Sequence, residues 1–172
     1  MAEIVAYIAH SVDGFIADRA GAIDWLKPFE SEDYGWDAFF GRIDAVVMGS
    51  TTYRELRRLG EWPYRGKAAI VMTSGPRLDE DGLAVFDDRS AVEIAVDLER
   101  AGLRRIWVVG GGGPIRAFLD AGLMRRLHLF QIPVLLSGGT PLWRPGSRRW
   151  PLALRRVVGW RNGVVETEYE VG

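Results

Sequence analysis

Apolar residues fall along the chain in short runs separated by polar turns, and between the runs they recur at helical spacing. Glu3-Ile-Val-Ala-Tyr-Ile-Ala9, Asp44-Ala-Val-Val-Met48, Ala68-Ala-Ile-Val-Met-Thr73, Leu83-Ala-Val-Phe86 and Ile106-Trp-Val-Val109 read as buried strands. After Gly49-Ser50-Thr51-Thr52 the pattern predicts a helix with Tyr53, Leu56 and Leu59 on one face. Ser90-Ala-Val-Glu93 is a capping box, opening a helix that turns Ala91, Ile94, Ala95 and Leu98 to one side and stops at Gly102. Gly110-Gly-Gly-Gly113 precedes a helix with Pro114 in its first turn and Phe118 and Leu119 facing inward.

Beyond Gly122 the alternation of strand and helix ceases. Arg126 to Leu136 predicts a long strand interrupted by Pro133. Leu152–Trp160 and Val164–Val171 flank Asn162-Gly163, the signature of a hairpin with a type I′ turn. The pattern predicts a single α/β domain over residues 1–172, with a mainly parallel sheet, helices on both of its faces and an antiparallel C-terminal hairpin at one edge. No internal repeat, linker or low-complexity tract breaks it.

Composition narrows the class. The 172 residues are 48% apolar and 26% charged, which excludes disordered and fibrous chains. There is no cysteine, so disulfides, thiol nucleophiles and thiolate metal sites are ruled out. The N-terminal stretch lacks a basic segment followed by a long apolar one, and no apolar run approaches a membrane span. A soluble, cytoplasmic protein is the expectation. Net charge is −1, but residues 1–100 carry a balance of −8 and residues 101–172 one of +7. The arginines of the basic half come in scattered pairs, a pattern of solvated strand flanks, so nucleic-acid binding is rejected. His10 and His128 show no metal-ligand spacing with carboxylates, and no metal is expected.

Two junctions carry the candidate chemistry. Gly49 to Thr52 and Gly110 to Pro114 each place small residues where a strand gives way to a helix. In open α/β sheets ligands bind at such carboxyl ends, and a helix start offers free amides and partial positive charge to a phosphate. The four glycines match neither the G-x-G-x-x-G fingerprint, since residue 115 is Ile, nor a P-loop. Alone they would be read as a tight turn. Paired with the Gly49 junction they suit the two ends of a pyrophosphate-bridged dinucleotide. The loop His10 to Asp18, with Asp13-Gly14, is either a plain turn or a mobile cover for a flat ring. Trp25 and Trp36 are the tryptophans placed to wall a substrate.

Taken in order, Ser11-Val-Asp-Gly-Phe-Ile-Ala17, Asp44 to Tyr53, Ile70 to Ser74, Ile106 to Pro114 and Pro133 to Leu142 resemble the dihydrofolate-reductase-like superfamily. The likeness is strongest to the reductase domain of bifunctional riboflavin-biosynthesis deaminase-reductases and their stand-alone relatives. The resemblance implies an eight-stranded sheet with NADPH across the strand ends, a small-molecule substrate and a homodimer. It implies that Ala9 and Ile16 border the nicotinamide, and that Gly49, Ser50, Thr51 and Thr52 hold phosphate at the adenosine end. Thr73 and Ser74 fall near the adenosine ribose, and Gly110, Gly111, Gly112, Gly113, Pro114 and Ile115 wrap the pyrophosphate. Asp13 is the candidate catalytic residue, and Trp25 and Asp33 are candidate substrate contacts.

Three departures qualify the transfer. Relatives often carry Arg where Ser50 stands, so NADH is also admitted unless Arg77 or another cation compensates. Asp33 and Asp37, the nearest matches to a pterin-binding carboxylate, read better as exposed helix carboxylates. Phe130 replaces an expected threonine, which disfavours folate. The implied activity is reduction of a ribose to ribitol, of the 5-amino-6-(5-phosphoribosylamino)uracil reductase type. A pterin, dihydrofolate or xenobiotic reductase is the alternative enzyme, and a non-catalytic dinucleotide-binding sensor the alternative outside enzymes.

Overall fold

The computed structural model of the protein describes residues 1–74, 82–146 and 148–172. Arg77 lies outside them. In chain order the elements are β1 (Glu3–Ser11), β2 (Phe15–Ala17), a 3-10 helix (Asp24–Phe29), α1 (Trp36–Phe40), β3 (Ala45–Gly49) and α2 (Ser50–Arg58). There follow β4 (Ala68–Met72), β5 (Val85–Asp87), α3 (Ala91–Arg100), β6 (Arg105–Gly110), α4 (Gly112–Asp120), β7 (Met124–Ile132), β8 (Thr140–Pro141), β9 (Leu152–Gly159) and β10 (Val165–Val171). The main sheet has eight strands in the order β5-β4-β3-β6-β1-β7-β10-β9. Pairings from β5 to β7 are all parallel, and β10 runs antiparallel to both β7 and β9. This is the expected mainly parallel sheet with its antiparallel edge.

The central strands are apolar throughout because both of their faces are covered. Ile4, Ala6, Ala45, Val47, Ile106 and Val108 point to one side, against Ile94 and Leu98 of α3 and Ile115 and Phe118 of α4. Their neighbours Val5, Val46, Met48 and Trp107 point to the other, against Tyr53 of α2 and Phe39 and Phe40 of α1. The period-2 alternation of the strands thus builds two cores with helices over each. Among the described residues no helix is long and apolar enough to cross a membrane.

The local signals at α3 are met in full. Ser90 accepts from the Glu93 amide while the Glu93 carboxylate accepts from the Ser90 amide, and Gly102 follows the helix at φ 84°. Elsewhere the chain departs from expectation. The strand predicted to reach Leu136 ends at Ile132, because Pro133 has no N–H for the ladder. The strand predicted at Leu83–Phe86 lies at Val85–Asp87. α2 ends at Arg58, so Leu59 caps it and is 69% exposed rather than turned inward. At Asn162-Gly163 only Gly163 has positive φ, which excludes type I′. Gly163 donates to Trp160 O and Trp160 to Val164 O, making a three-residue loop that ends in a left-handed glycine. The Asn162 side chain is drawn away to Tyr34, donating to its hydroxyl at 2.6 Å.

Candidate functional site

β3 and β6 are remote in sequence but neighbours in the sheet, with Met48 opposite Gly110. Their carboxyl ends, each followed by a helix start, therefore lie side by side. α2 departs over one face and α4 over the other, opening a crevice at the switch in strand order. The two junctions touch. A Cβ on Gly49 would stand 3.4 Å from Pro114 Cγ, and one on Gly111 would stand 3.5 Å from Thr52 Oγ1. Gly111, at φ 77°, is the N-cap residue of α4, whose first residue is Gly112, so the helix starts within the glycine run rather than after it. Gly112 admits no side chain, because its Cβ would fall 2.8 Å from Pro141 O and 2.9 Å from Leu142 O.

Capping separates these helices from α3. Both α2 and α4, like the five-residue α1, have glycine at the N-cap, and among the described residues no N-cap side chain bonds their first amides. α3, whose first residues are not part of the cleft wall, carries a complete capping box. The uncapped amides of α2 and α4 are left to a ligand, and they suit an anion. That is the fit a dinucleotide pyrophosphate requires.

The cleft into which these helix starts open has a volume of about 1050 Å³. It follows the carboxyl edge of the sheet, with Thr73, Ser74, Asp87 and Arg89 at the β4–β5 end and Tyr7, Ala9 and Trp107 toward β1. Ile16, Ala17 and Thr140 contribute a roof, where β2 pairs with β8 and Leu142 N donates to Gly14 O at 2.9 Å. At the β5 end Asp87, 7% exposed, accepts from Arg89 Nε at 3.0 Å and Nη2 at 2.7 Å, while Arg89 Nη1 donates to Asp97 at 2.7 Å. The opposite end is aromatic. Tyr7 stacks on Phe39 with centroids 4.3 Å apart and lies 4.5 Å from Phe130, and Tyr64 meets Trp107 edge-on at 5.4 Å. Burial pushes the Tyr7 and Tyr64 hydroxyls well above the usual tyrosine range, so both stay neutral donors, and Tyr7 donates to Tyr34 O at 3.2 Å.

Of the residues singled out from sequence, Ala9, Ile16, Gly49, Ser50, Thr51, Thr52, Thr73, Ser74, Gly110, Gly111, Gly112, Gly113 and Pro114 all line the cleft. Ile115 does not, being 1% exposed in the core beneath α4. Asp13 also lies off the cleft wall. Its carboxylate accepts from Ser11 Oγ at 2.6 Å and from the amides of Leu136 and Ser137 at 3.1 and 2.7 Å. Trp25 packs with Phe130, Ile132 and Val164, and its neighbour Leu26 reaches the cleft instead. Asp33 is exposed before α1 rather than within a helix, and accepts from Gly35 N at 2.8 Å. Sequence reasoning missed Tyr7, Tyr64, Trp107, Asp87, Arg89 and Arg144. Strand alternation could have found two of them, since Tyr7 shares a face with Ala9 and Trp107 with Val109. Nothing in the sequence marked Arg144.

A mainly parallel sheet with two glycine-capped helix starts side by side at its switch point defines an open α/β protein with its crevice at the carboxyl ends of the strands. The chain belongs to the RibD C-terminal domain family, whose model matches residues 2–165. It is 33% identical over 153 residues to the uncharacterized protein YwjB of Bacillus subtilis, covering 88% of each chain. It is 26% identical over 145 residues to the riboflavin biosynthesis protein RibD of Corynebacterium ammoniagenes, covering 76% of this chain and 43% of that one. Among solved structures, a protein of Shewanella sp. PV-4 provisionally assigned to riboflavin biosynthesis superposes with a TM-score of 0.90 at 28% identity, over 100% of this chain and 99% of the other. The Thermotoga maritima diaminohydroxyphosphoribosylaminopyrimidine deaminase/5-amino-6-(5-phosphoribosylamino)uracil reductase gives a TM-score of 0.75 at 16% identity, over 99% of this chain and 57% of that one. The fold is therefore the dihydrofolate-reductase-like fold of the RibD reductases.

Proposed function

We propose that the protein is a reductase of a small heterocyclic molecule that uses NADPH, with NADH as a second reductant. The observation that carries this reading is the meeting of two uncapped helix starts, α2 and α4, across one cleft, with Gly111 against Thr52. A pyrophosphate there would receive the free amides of both helices together with the hydroxyls of Thr51 and Thr52. The adenosine would extend toward Thr73 and Ser74, and the nicotinamide toward Ala9 and Ile16. When bound, the reduced nicotinamide supplies the hydride. The residues of this chain orient that ring and exclude water from it, through Ile16 and Ala17 in the roof and Tyr7 and Trp107 in the floor. Asp13 serves the same end by tying the roof loop to residues 136 and 137.

The candidate substrate is a phosphoribosylamino-pyrimidine of the kind named for the Thermotoga maritima relative, its ribose reduced to ribitol. The flat aromatic walls at Tyr7, Tyr64 and Trp107 suit a pyrimidine ring. Folate is disfavoured, since Asp33 is turned to solvent and Phe130 closes the strand position beside Tyr7. The test is to titrate the purified protein with NADPH while following nicotinamide and tryptophan fluorescence, then to add the pyrimidine and follow loss of reduced-nicotinamide absorbance. Saturable binding followed by substrate-dependent oxidation is the expected result. Binding without oxidation of the pyrimidine or of dihydrofolate would leave a dinucleotide-binding module, and absence of binding would remove the reading altogether.

A further inference from the structure

The cleft wall contains a cation that no glycine motif announces. Arg144 follows β8 and lies along the first turn of α4. Its Cγ is 3.4 Å from where a Cβ of Gly112 would stand. Its Cζ, Nη2 and Nη1 are 3.6, 3.7 and 3.8 Å from the corresponding point on Gly113, so the guanidinium plane rests on that glycine. Two anchors fix the backbone that carries it. Leu142 is fully buried, and Arg116 Nη1 donates to Arg144 O at 3.4 Å.

This placement opposes ordinary electrostatics. A helix start bears partial positive charge and favours carboxylates, while cations belong at the other end. Arg144 nevertheless lies over the start of α4, and no carboxylate pairs with it among the described residues. Arg116, one turn into the same helix, is by contrast paired with Asp120 at 2.7 Å. An anion between the α4 amides and the Arg144 fork would relieve the conflict, and the fork matches two oxygens of a phosphate.

We infer that Arg144 is the charged ligand of the dinucleotide's bridging phosphates, reaching them from the β8 segment over the glycines at positions 112 and 113. The inference rests on the dinucleotide reading above and assigns to it a residue outside both strand-to-helix junctions. It also gives Gly113 a purpose beyond the turn, since a methyl there would just touch the guanidinium and anything longer would press on it.

The experiment compares NADPH affinity of the wild type, Arg144→Gln and Arg144→Lys by nicotinamide fluorescence at several salt concentrations. Because the side chain is exposed, both variants should keep the wild-type melting temperature. Arg144→Gln should weaken NADPH binding by about tenfold or more and flatten its dependence on salt, because one screened charge contact is gone. Arg144→Lys should restore part of the affinity and all of the salt dependence. Arg144→Gln binding within twofold of wild type, or losing affinity with an unchanged salt dependence, overturns the inference and leaves the proposed function standing. A wild type that binds neither NADPH nor NADH overturns both.

Discussion

Asp13 and Ser137 lie 124 positions apart in the chain and are joined by a hydrogen bond of 2.7 Å from the Ser137 amide to the Asp13 carboxylate. With the Leu136 amide on the second oxygen and the Ser11 hydroxyl beside it, this contact ties the loop after β1 to the segment that follows β7. The hydrogen bond from Ser11, then those from the two amides, hold the Asp13 carboxyl below the usual carboxylate range. A carboxyl with a lowered folded-state value stabilises the fold above its unfolded value, near 3.8, and that contribution is lost as pH falls through the lower folded value. The Leu136 and Ser137 amides should therefore be protected from exchange at neutral pH and keep that protection down to the unfolded value near 3.8, losing it only as pH falls further through the lowered folded value. Asp13→Ala should lose it at neutral pH too. As a clamp, Asp13→Asn should raise the KM for NADPH more than it lowers kcat. A loss of kcat of about a hundredfold with unchanged KM would instead make Asp13 the proton donor.

Adjacent glycines of the α4 junction should answer differently to the same substitution. At Gly112 a methyl group would meet two backbone carbonyls, Pro141 O and Leu142 O, inside 3 Å, and neither can move without shifting the β8 segment. Gly112→Ala should cost about 1–3 kcal/mol of stability, as overpacked sites do, and should weaken NADPH binding. At Gly113 the nearest atom to an added methyl is Arg144 Cζ at 3.6 Å, an ordinary contact, so Gly113→Ala should keep wild-type stability. Urea denaturation of the two variants side by side checks the contrast. Equal midpoints would show that the backbone at positions 141 and 142 yields freely.

The parts of this protein that could be read from its sequence are those fixed by local chemistry. Ser90 with Glu93 starts α3, Gly102 ends it, and unbroken apolar runs such as Ala45 to Met48 mark strands buried on both faces. The glycines at positions 49 and 110–113 announced their junctions because each follows an apolar strand run and precedes helically spaced apolar residues. What stayed hidden was set by distance. That Met48 would stand opposite Gly110 depends on strand order, and Arg144 meets Gly113 only because β8 crosses back to pair with β2. Asp13 looked chemical because it is a carboxylate in a loop near the cleft, and its amide partners at positions 136 and 137 lie too far along the chain to be foreseen. The turn at Asn162-Gly163 failed for a related reason, since the Asn162 side chain is bonded to Tyr34 from another part of the chain.

Among the described residues β9 is the outer strand of the sheet and pairs only with β10. Leu152, Leu154 and Val157 on it are 42%, 54% and 55% exposed, an apolar edge of the kind that soluble proteins cover. We expect a second copy to cover it, giving the homodimer implied by the family resemblance. Sedimentation equilibrium at micromolar concentration should return a dimer, and Leu154→Glu should return a monomer with NADPH binding retained. A wild-type monomer at these concentrations would leave the edge bare and remove the expectation.

Preference between the two nicotinamide cofactors turns on the charge available at the adenosine end of the cleft. Arg89 is the cation that lines it among the described residues, yet its Nε and Nη2 are held by Asp87 and its Nη1 by Asp97. An arginine so engaged has little left for a 2′-phosphate, and the buried Asp87 carboxylate beside it opposes a second anion. Ser50 opens α2 at the same stretch of wall and offers a hydroxyl but no charge. The wild type should therefore favour NADPH over NADH only weakly. Ser50→Arg, a change on the cleft wall, should increase that preference by about tenfold, the worth of one well-formed charged hydrogen-bond pair to phosphate. Dissociation constants of both cofactors for both proteins, measured at one ionic strength, give the ratio directly. A wild type already strongly selective for NADPH, with a ratio that Ser50→Arg does not move, would mean that the 2′-phosphate is held by a cation other than Arg89.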